Sequence, residues 1–191
     1  ATADSVVHAN DMLAVRLSDG RSELWAPIAQ AEAVLATLTA HLREAPLNDW
    51  LLAQVRAGIG QVFGATREQL IPQMINLQAL GGVSFKKGCY TGQEIVARMQ
   101  YLGKLKRRLY RLSLAGDAVP AVATPLFSPV HGSSVGDVVL AARSSDGIEL
   151  LAVVQEDALL DGNLHLGSLE GPALQRLDLP YTLDADREIQ R

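Results

Sequence analysis

Residues 85–102 read FKKGCYTGQEIVARMQYL, and the rest of the chain is organised around this stretch. Gly88 permits a tight turn, and Cys89, the single cysteine of the chain, is expected to be exposed on that turn. Thr91 and Glu94 have the spacing of a capping box, which predicts a helix from about residue 92 to 102. The stretch therefore places a lone thiol just before a helix N-terminus.

Two interpretations of Cys89 follow from its surroundings. The helix dipole and the cationic side chains of Lys86 and Lys87 favour a thiolate, which would make the cysteine reactive. The alternative is a cysteine buried in the core as a small apolar residue. The residues alone leave both interpretations open.

The segment KGCYTGQEIVAR, residues 87–98, resembles the signature K-G-C-[FY]-x-G-Q-E-x-x-A-R of the YgfZ family. These are folate-binding proteins related to the T-protein, the aminomethyltransferase of the glycine cleavage system. Residues 71–85 and 101–109 also resemble that family, so the resemblance is strong over the middle third of the chain. It implies that a longer protein carries a further folate-domain segment ahead of this one. The matching positions of the signature are Lys87, Gly88, Cys89, Tyr90, Gly92, Gln93, Glu94, Ala97 and Arg98.

Trp50 also has two interpretations. A tryptophan in the first turn of a helix, next to Leu51 and Leu52, is most simply a core or interface residue. The resemblance implies instead a folate-binding residue, because Trp50 precedes Gly58-Ile59 in the family's W-x(7)-G-I pattern. On this interpretation the indole stacks on the pterin of tetrahydrofolate. Cys89 then supplies a functional thiol whose surroundings are shaped by the other signature residues, Lys87, Gly88, Tyr90, Gly92, Gln93, Glu94 and Arg98.

The pattern of the whole chain predicts an α+β fold. Residues 5–26 alternate short apolar runs with turn signals, which predicts a β-meander in which Trp25 belongs to the core. Two helices follow, one with Pro27 in its first turn that ends near Pro46, and one over residues 49–58. From residue 104 to about 179, short strands and an Asp146-Gly147 hairpin signal predict a small antiparallel barrel or sandwich, and the resemblance favours the barrel. The resulting domains are a partial aminomethyltransferase-like folate-binding region, 1–103, and a C-terminal β-barrel, 104–191.

Composition limits the classes of function. The chain has 191 residues, of which 48% are hydrophobic and 20% charged, which is typical of a globular protein. Its net charge of −4 gives no overall attraction to nucleic acid. One cysteine excludes an internal disulfide and a metal site built from cysteines of this chain alone. No metal site and no membrane span are predicted, and a reducing cytoplasm is the expected location.

Five basic residues follow the central stretch. Alternation of Tyr110 with Leu112 and Leu114 predicts a half-buried strand here, with part of the charge on its solvated face. A functional interpretation remains open, namely an anion site for the glutamate tail of a folate or for RNA phosphates. The residues are Lys104, Lys106, Arg107, Arg108 and Arg111.

The resemblance implies a tetrahydrofolate-binding accessory protein, rather than an enzyme, that supports assembly or repair of iron–sulfur enzymes and the modification of tRNA. Its partners would be folate and iron–sulfur client enzymes, including those that modify tRNA. One alternative is a folate-dependent aminomethyltransferase, a one-carbon transferase whose required acidic residue lies in an N-terminal region that this chain does not display. Another is an RNA-binding module that works through Lys104 to Arg111.

Overall fold

A computed structural model describes residues 5–84, 87–101, 105–160 and 162–183. The chain divides into two compact units, Ala1–Pro46 and Leu47–Arg191. The predicted domain boundary between residues 103 and 104 lies outside the described residues.

The first unit is the expected meander followed by a helix. Its strands β1 (Ser5–Ala9), β2 (Met12–Arg16) and β3 (Ser22–Trp25) form an antiparallel sheet in that order. The β1–β2 turn consists of Asn10 and Asp11, both at positive φ, as in the tight turns that suit the twist of a hairpin. A 3-10 turn (Ile28–Gln30) leads into helix α1 (Ala31–Thr39).

The expectation for Trp25 was wrong. Its side chain is 63% exposed at the end of β3, although it pairs in register with Leu13 of β2. The indole N–H donates to the carboxylate of Glu23, at 3.1 Å. A three-stranded sheet has one strand at each edge, so a strand-like pattern alone does not put a side chain in a core.

The second unit contains a closed barrel with strand order β4-β7-β6-β5-β8-β9, which confirms the predicted barrel. All of its pairings are antiparallel. Its elements are helix α2 (Leu47–Arg56), 3-10 turns at Gly64–Thr66 and Pro72–Ile75, α3 (Gln93–Tyr101), β4 (Arg107–Leu114), β5 (Pro125–Phe127), β6 (Gly136–Ser144), β7 (Gly147–Gln155), α4 (Glu156–Leu160), β8 (Leu164–Leu166) and β9 (Ala173–Leu177).

The barrel interior is filled by side chains that alternate along its strands. Leu112, Leu150 and Val138 are fully buried there. The β6–β7 hairpin closes at the predicted position, with Ser144 opposite Gly147. Gly136 opens β6 where the strands approach closely, because a Cβ atom there would overlap the carbonyl oxygen of Val153. The interior is therefore packed to contact, as expected for a barrel of this size.

The outer face of three strands is also buried. Leu109, Val139 and Leu151 are completely or almost completely inaccessible, and they pack with Val55 of α2 and with Ile75 of the second 3-10 turn. Alternation along β4 would leave Leu109 on a solvated face, but the helix and the turn cover it. This part of the wall consequently has a core on each side.

Candidate functional site

Helix α2, which carries Trp50, is attached to the barrel wall at its N-terminal end. The amide of Asn48 donates to the carbonyl oxygen of Arg143 at 3.0 Å, and the backbone N–H of Arg143 donates back to Asn48 Oδ1 at 2.8 Å. This pair of hydrogen bonds satisfies the backbone N–H and C=O of Arg143 as a neighbouring strand would. Trp50 follows two residues later, and its side chain is only partly buried.

A carboxylate attaches the other end of α2. Glu149 Oε1 accepts from Nε and Nη2 of Arg56, at 3.1 and 2.8 Å, and Oε2 accepts from the same atoms of Arg111, at 3.1 and 2.6 Å. Arg56 is the last residue of α2, whereas Glu149 and Arg111 belong to β7 and β4. Burial raises the pKa of Glu149, but the hydrogen bonds and charges of the two guanidinium groups outweigh burial and leave it below its ordinary value.

The chain just after α2 is fixed by a small polar network. The Tyr181 hydroxyl donates to the carbonyl oxygen of Gly58 at 2.7 Å. Asn76, which is fully buried with a left-handed backbone, donates from Nδ2 to the carbonyl oxygen of Leu109 at 2.9 Å and to the Tyr181 oxygen at 3.3 Å. Burial raises the pKa of Tyr181 above its ordinary value, and the hydrogen bond from Asn76, which lowers the pKa, offsets only part of this rise. The network joins the end of α2 to β4.

The cysteine loop is exposed. Cys89 has a free, exposed thiol, which decides against the buried interpretation. Lys87 Nζ lies 4.7 Å from the centre of the Tyr90 ring, so the two side chains that flank the cysteine contact each other. Gly92 adopts φ +86°, a conformation that favours glycine, directly before α3 begins at Gln93. Phe85 and Lys86, which lead into the loop, lie outside the described residues.

Helix α3 holds the second half of the signature. Val96 is buried, and its carbonyl oxygen accepts from Gln73 Nε2 at 2.7 Å, which attaches α3 to the 3-10 turn at Pro72–Ile75. Glu94 and Arg98 lie on the exposed side of α3. The structure thus gathers Lys87, Cys89 and Tyr90 in one loop, while Trp50 belongs to a separate helix. The predicted C-terminal stop of α3 lies outside the described residues.

Most of the basic cluster has acidic partners. Arg108 Nε lies 3.1 Å from Glu156 Oε1, Arg111 Nη2 lies 2.6 Å from Glu149 Oε2, and Arg107 lies 3.9 Å from Asp137. The Arg108 side chain is only 9% exposed, so it does not belong to a solvated face. Lys106 is exposed, and Lys104 lies outside the described residues.

Sequence reasoning missed the residues that hold α2. Glu149 lies 38 positions from Arg111 and 93 from Arg56, and Tyr181 lies 123 positions from Gly58. No local pattern connects residues so far apart. Among the described residues, no three His, Cys, Asp or Glu side chains are grouped as a metal site would need. No helix in the described ranges has the length and apolar character to cross a membrane.

Comparisons with known proteins agree with the resemblance to the YgfZ family. No protein-family model matches the chain. It is similar to proteins named tRNA-modifying protein YgfZ: 36% identical to that of Edwardsiella ictaluri over 81% of this chain and 48% of the relative, and 38% identical to that of Escherichia fergusonii over 80% and 49%. The Klebsiella pneumoniae protein of the same name is 38% identical over 74% of this chain and 45% of its own length. The chain spans about half the length of the curated relatives it matches.

A solved structure supports the fold. The crystal structure of the glycine cleavage system aminomethyltransferase T from Bartonella henselae matches 90% of this chain and 50% of that protein, with a TM-score of 0.61. Sequence identity is 16%, so the likeness concerns the fold alone. The predicted fold class and the resemblance to the YgfZ family are both confirmed.

Proposed function

We propose that this chain, a relative of the YgfZ proteins over about four fifths of its length, binds a tetrahydrofolate and acts as an accessory protein in tRNA modification. Trp50 is the surface on which the pterin stacks. Cys89 is the functional thiol, and the signature residues around it form its immediate surroundings. The tRNA-modifying role is taken from the name of the relatives.

The observation that carries this proposal is that Trp50 is partly exposed on a helix that is firmly attached to the barrel. Its indole is partly exposed, yet the helix beneath it is attached at Asn48, at Arg56 and at Gly58. A flat aromatic face held in this way suits a flat heteroaromatic ligand, and such stacking contributes about 1 kcal/mol beyond area burial. A fixed platform also binds without the cost of ordering it first. Trp50 and its attachments therefore fit a pterin.

The exposed thiol of Cys89 gives the proposal its second part. The chain serves iron–sulfur clients, including tRNA-modifying enzymes, and the Cys89 sulfur contacts the cluster or its ligands as a transient partner. One thiol cannot supply the four ligands that a cluster takes, so the client retains the others. A reducing cytoplasm keeps such a thiol available.

The two alternative functions have less support. The likeness to the aminomethyltransferase is one of fold, and it identifies no residue of this chain as a transfer residue. Binding of RNA through the basic cluster is disfavoured, because Arg108 and Arg111 already face carboxylates at 3.1 Å and 2.6 Å. Arginines that are already paired with carboxylates neutralise few phosphates, so few counterions are released from the RNA and little binding free energy is gained.

Titration with tetrahydrofolate under reducing conditions tests the folate part. The chain has two tryptophans, so the Trp25→Phe variant reports Trp50 alone and serves as the matched control for Trp50→Phe. We expect saturable quenching of emission in Trp25→Phe and at least a tenfold loss of affinity by calorimetry in Trp50→Phe. Equal affinity in the two variants, or no binding by either, would contradict the proposal.

The thiol part has its own test. We expect Cys89→Ser to bind tetrahydrofolate like the unmodified chain, but to lose the support of an iron–sulfur tRNA-modifying enzyme, measured as the fraction of modified tRNA by mass spectrometry. Full support by Cys89→Ser would remove the thiol from the function and leave the folate part standing.

A further inference from the structure

A cavity of about 930 Å³ lies at the end of the barrel where β4 begins and β7 ends. Helix α4 follows β7 directly and packs Ala158 into the barrel core, so it forms one wall of the cavity. The volume is that of a site for a small organic molecule. The cavity is lined by Met74, Leu105, Lys106, Arg107, Tyr110, Gln155, Glu156, Asp157, Leu159, Leu160 and Arg176.

The inward face of the barrel continues into this cavity. Tyr110 belongs to the interior of the barrel and is buried, as is Leu112 next along the same face. Arg176 of β9 lies opposite Leu112, and its guanidinium is 5.2 Å from the centre of the Tyr110 ring. The ring therefore holds the arginine at the mouth of the cavity by a cation–π contact.

Charges around the cavity are unevenly matched. Arg108 is paired with Glu156 at 3.1 Å. Asp157, which also lines the cavity, lies 3.6 Å from His131 Nε2, a contact that is an ion pair only when His131 is protonated. Within the described ranges, no carboxylate oxygen lies within 4.0 Å of the cationic nitrogens of Lys106 or Arg176. These two lining cations are available for an anionic ligand, and each would gain a charge-assisted hydrogen bond.

Part of the remaining wall is apolar, beside Gln155 and the carboxylate of Asp157. Met74, Leu105, Leu159 and Leu160 line the cavity beside the cations, and Leu160 is 87% exposed. An exposed leucine in a cavity wall gains favourable burial when an apolar body covers it, at roughly 25 cal/mol per Å². A ligand that carries both charge and an apolar body would satisfy both kinds of wall.

We propose that this cavity binds a small organic dianion with an aromatic or aliphatic body. The carboxylates of the ligand lie against Lys106 and Arg176, and its body lies against Leu159 and Leu160. This site goes beyond the proposed function, because the ion pair that attaches Arg56 of the Trp50 helix to Glu149 lies at the other end of β7. Glu149 and Gln155 are six positions apart on β7, which corresponds to roughly 20 Å along the strand.

N-benzoyl-L-glutamate is a suitable probe, since it joins two carboxylates to an aromatic ring. We expect one-to-one binding by titration calorimetry, weakened at least tenfold for N-acetyl-L-glutamate, which keeps both carboxylates but lacks the ring, and for benzamide, which lacks the charges. Arg176→Gln and Lys106→Gln should each weaken binding at least fivefold, and Leu160→Asn about threefold. Arg67→Gln, the same change of charge at an exposed arginine, should leave the affinity unchanged.

Four results would overturn the proposal. The first three are absence of binding, equal binding of N-acetyl-L-glutamate, and equal affinity in Arg176→Gln. The fourth is loss of binding in Trp50→Phe, because the probe would then occupy the proposed folate site. Amide NMR shifts in the unmodified chain give a readout that does not depend on the folding of a variant, and they must centre on Tyr110 and Arg176.

Discussion

Replacement of Glu149 by glutamine tests how the Trp50 helix is held. The carboxylate side chain is 10% exposed and accepts four hydrogen bonds from two arginines. Removal of one member of a buried ion pair costs about 3–5 kcal/mol. Arg56 is 50% exposed and regains water, which reduces the loss. We therefore expect Glu149→Gln to lower the free energy of unfolding of the second unit by about 2 kcal/mol, or the melting temperature by about 4–8 °C.

The loss should depend on pH with a definite sign. Because the pKa of Glu149 is lowered in the folded state, its contribution to stability is complete above the pKa of the unfolded chain, about 4.3. It disappears as the pH falls through the lower folded value. The stability difference between the unmodified chain and Glu149→Gln should accordingly be full at pH 7 and shrink steadily below pH 4.

Urea unfolding followed by Trp50 emission, in the Trp25→Phe background, measures this difference. Glu68→Gln is the matched control, since Glu68 has an 84% exposed side chain and its contact with Arg67 is 3.6 Å long. The control should change stability by less than about 0.5 kcal/mol. If Glu149→Gln is as stable as the unmodified chain at pH 7, or if its loss of stability is the same at pH 7 and pH 3.5, then the Glu149 carboxylate does not hold α2 against the barrel.

Three further predictions concern the barrel, the polar network and the thiol. Gly136→Ala should lower the melting temperature by about 4–8 °C, because the new methyl group meets the backbone of β7, whereas Gly132→Ala, in open space, should not change it. Tyr181→Phe should cost about 1 kcal/mol in urea unfolding at pH 7. Since burial raises the pKa of Tyr181, its contribution to stability is complete below the unfolded value of about 10 and is lost as the pH rises through the folded value. The stability difference between the unmodified chain and Tyr181→Phe should therefore shrink as the pH rises above about 10. Native Cys89 should react completely with a thiol reagent, and Cys89→Ser should change stability by less than about 0.5 kcal/mol; protection of the thiol would contradict its exposure.

The barrel was predictable because its strands carry local signals. An Asp-Gly pair between two apolar runs fixes a hairpin, and the structure closes β6 on β7 at Gly147. Alternation likewise identified Tyr110, Leu112 and Leu114 as one face of β4, and these three residues do fill the barrel interior. Turn residues and strand alternation depend only on a few neighbouring residues, so a single sequence is enough to recognise them.

Long-range partners explain what the sequence did not reveal. Arg108 and Arg111 look like a solvated charge run until Glu156 and Glu149, more than 35 positions away, are brought against them. Leu109 looks exposed until α2 and the second 3-10 turn cover it. The cavity at the barrel end has the same origin, because its cations come from residues 106 and 176. Each case is decided by which surfaces meet, and periodicity does not encode that.

The position of Trp50 combines both kinds of information. Its place in the first turn of α2 follows from the local sequence, but a helix can turn about its axis on an apolar surface. Asn48 fixes one end through a strand backbone, and Arg56 fixes the other through Glu149, so rotation would break hydrogen bonds at both ends. The side of α2 from which Trp50 projects is therefore set by the barrel. A change in the wall that never contacts a ligand, such as Glu149→Gln, should then weaken stacking at Trp50 as well as stability.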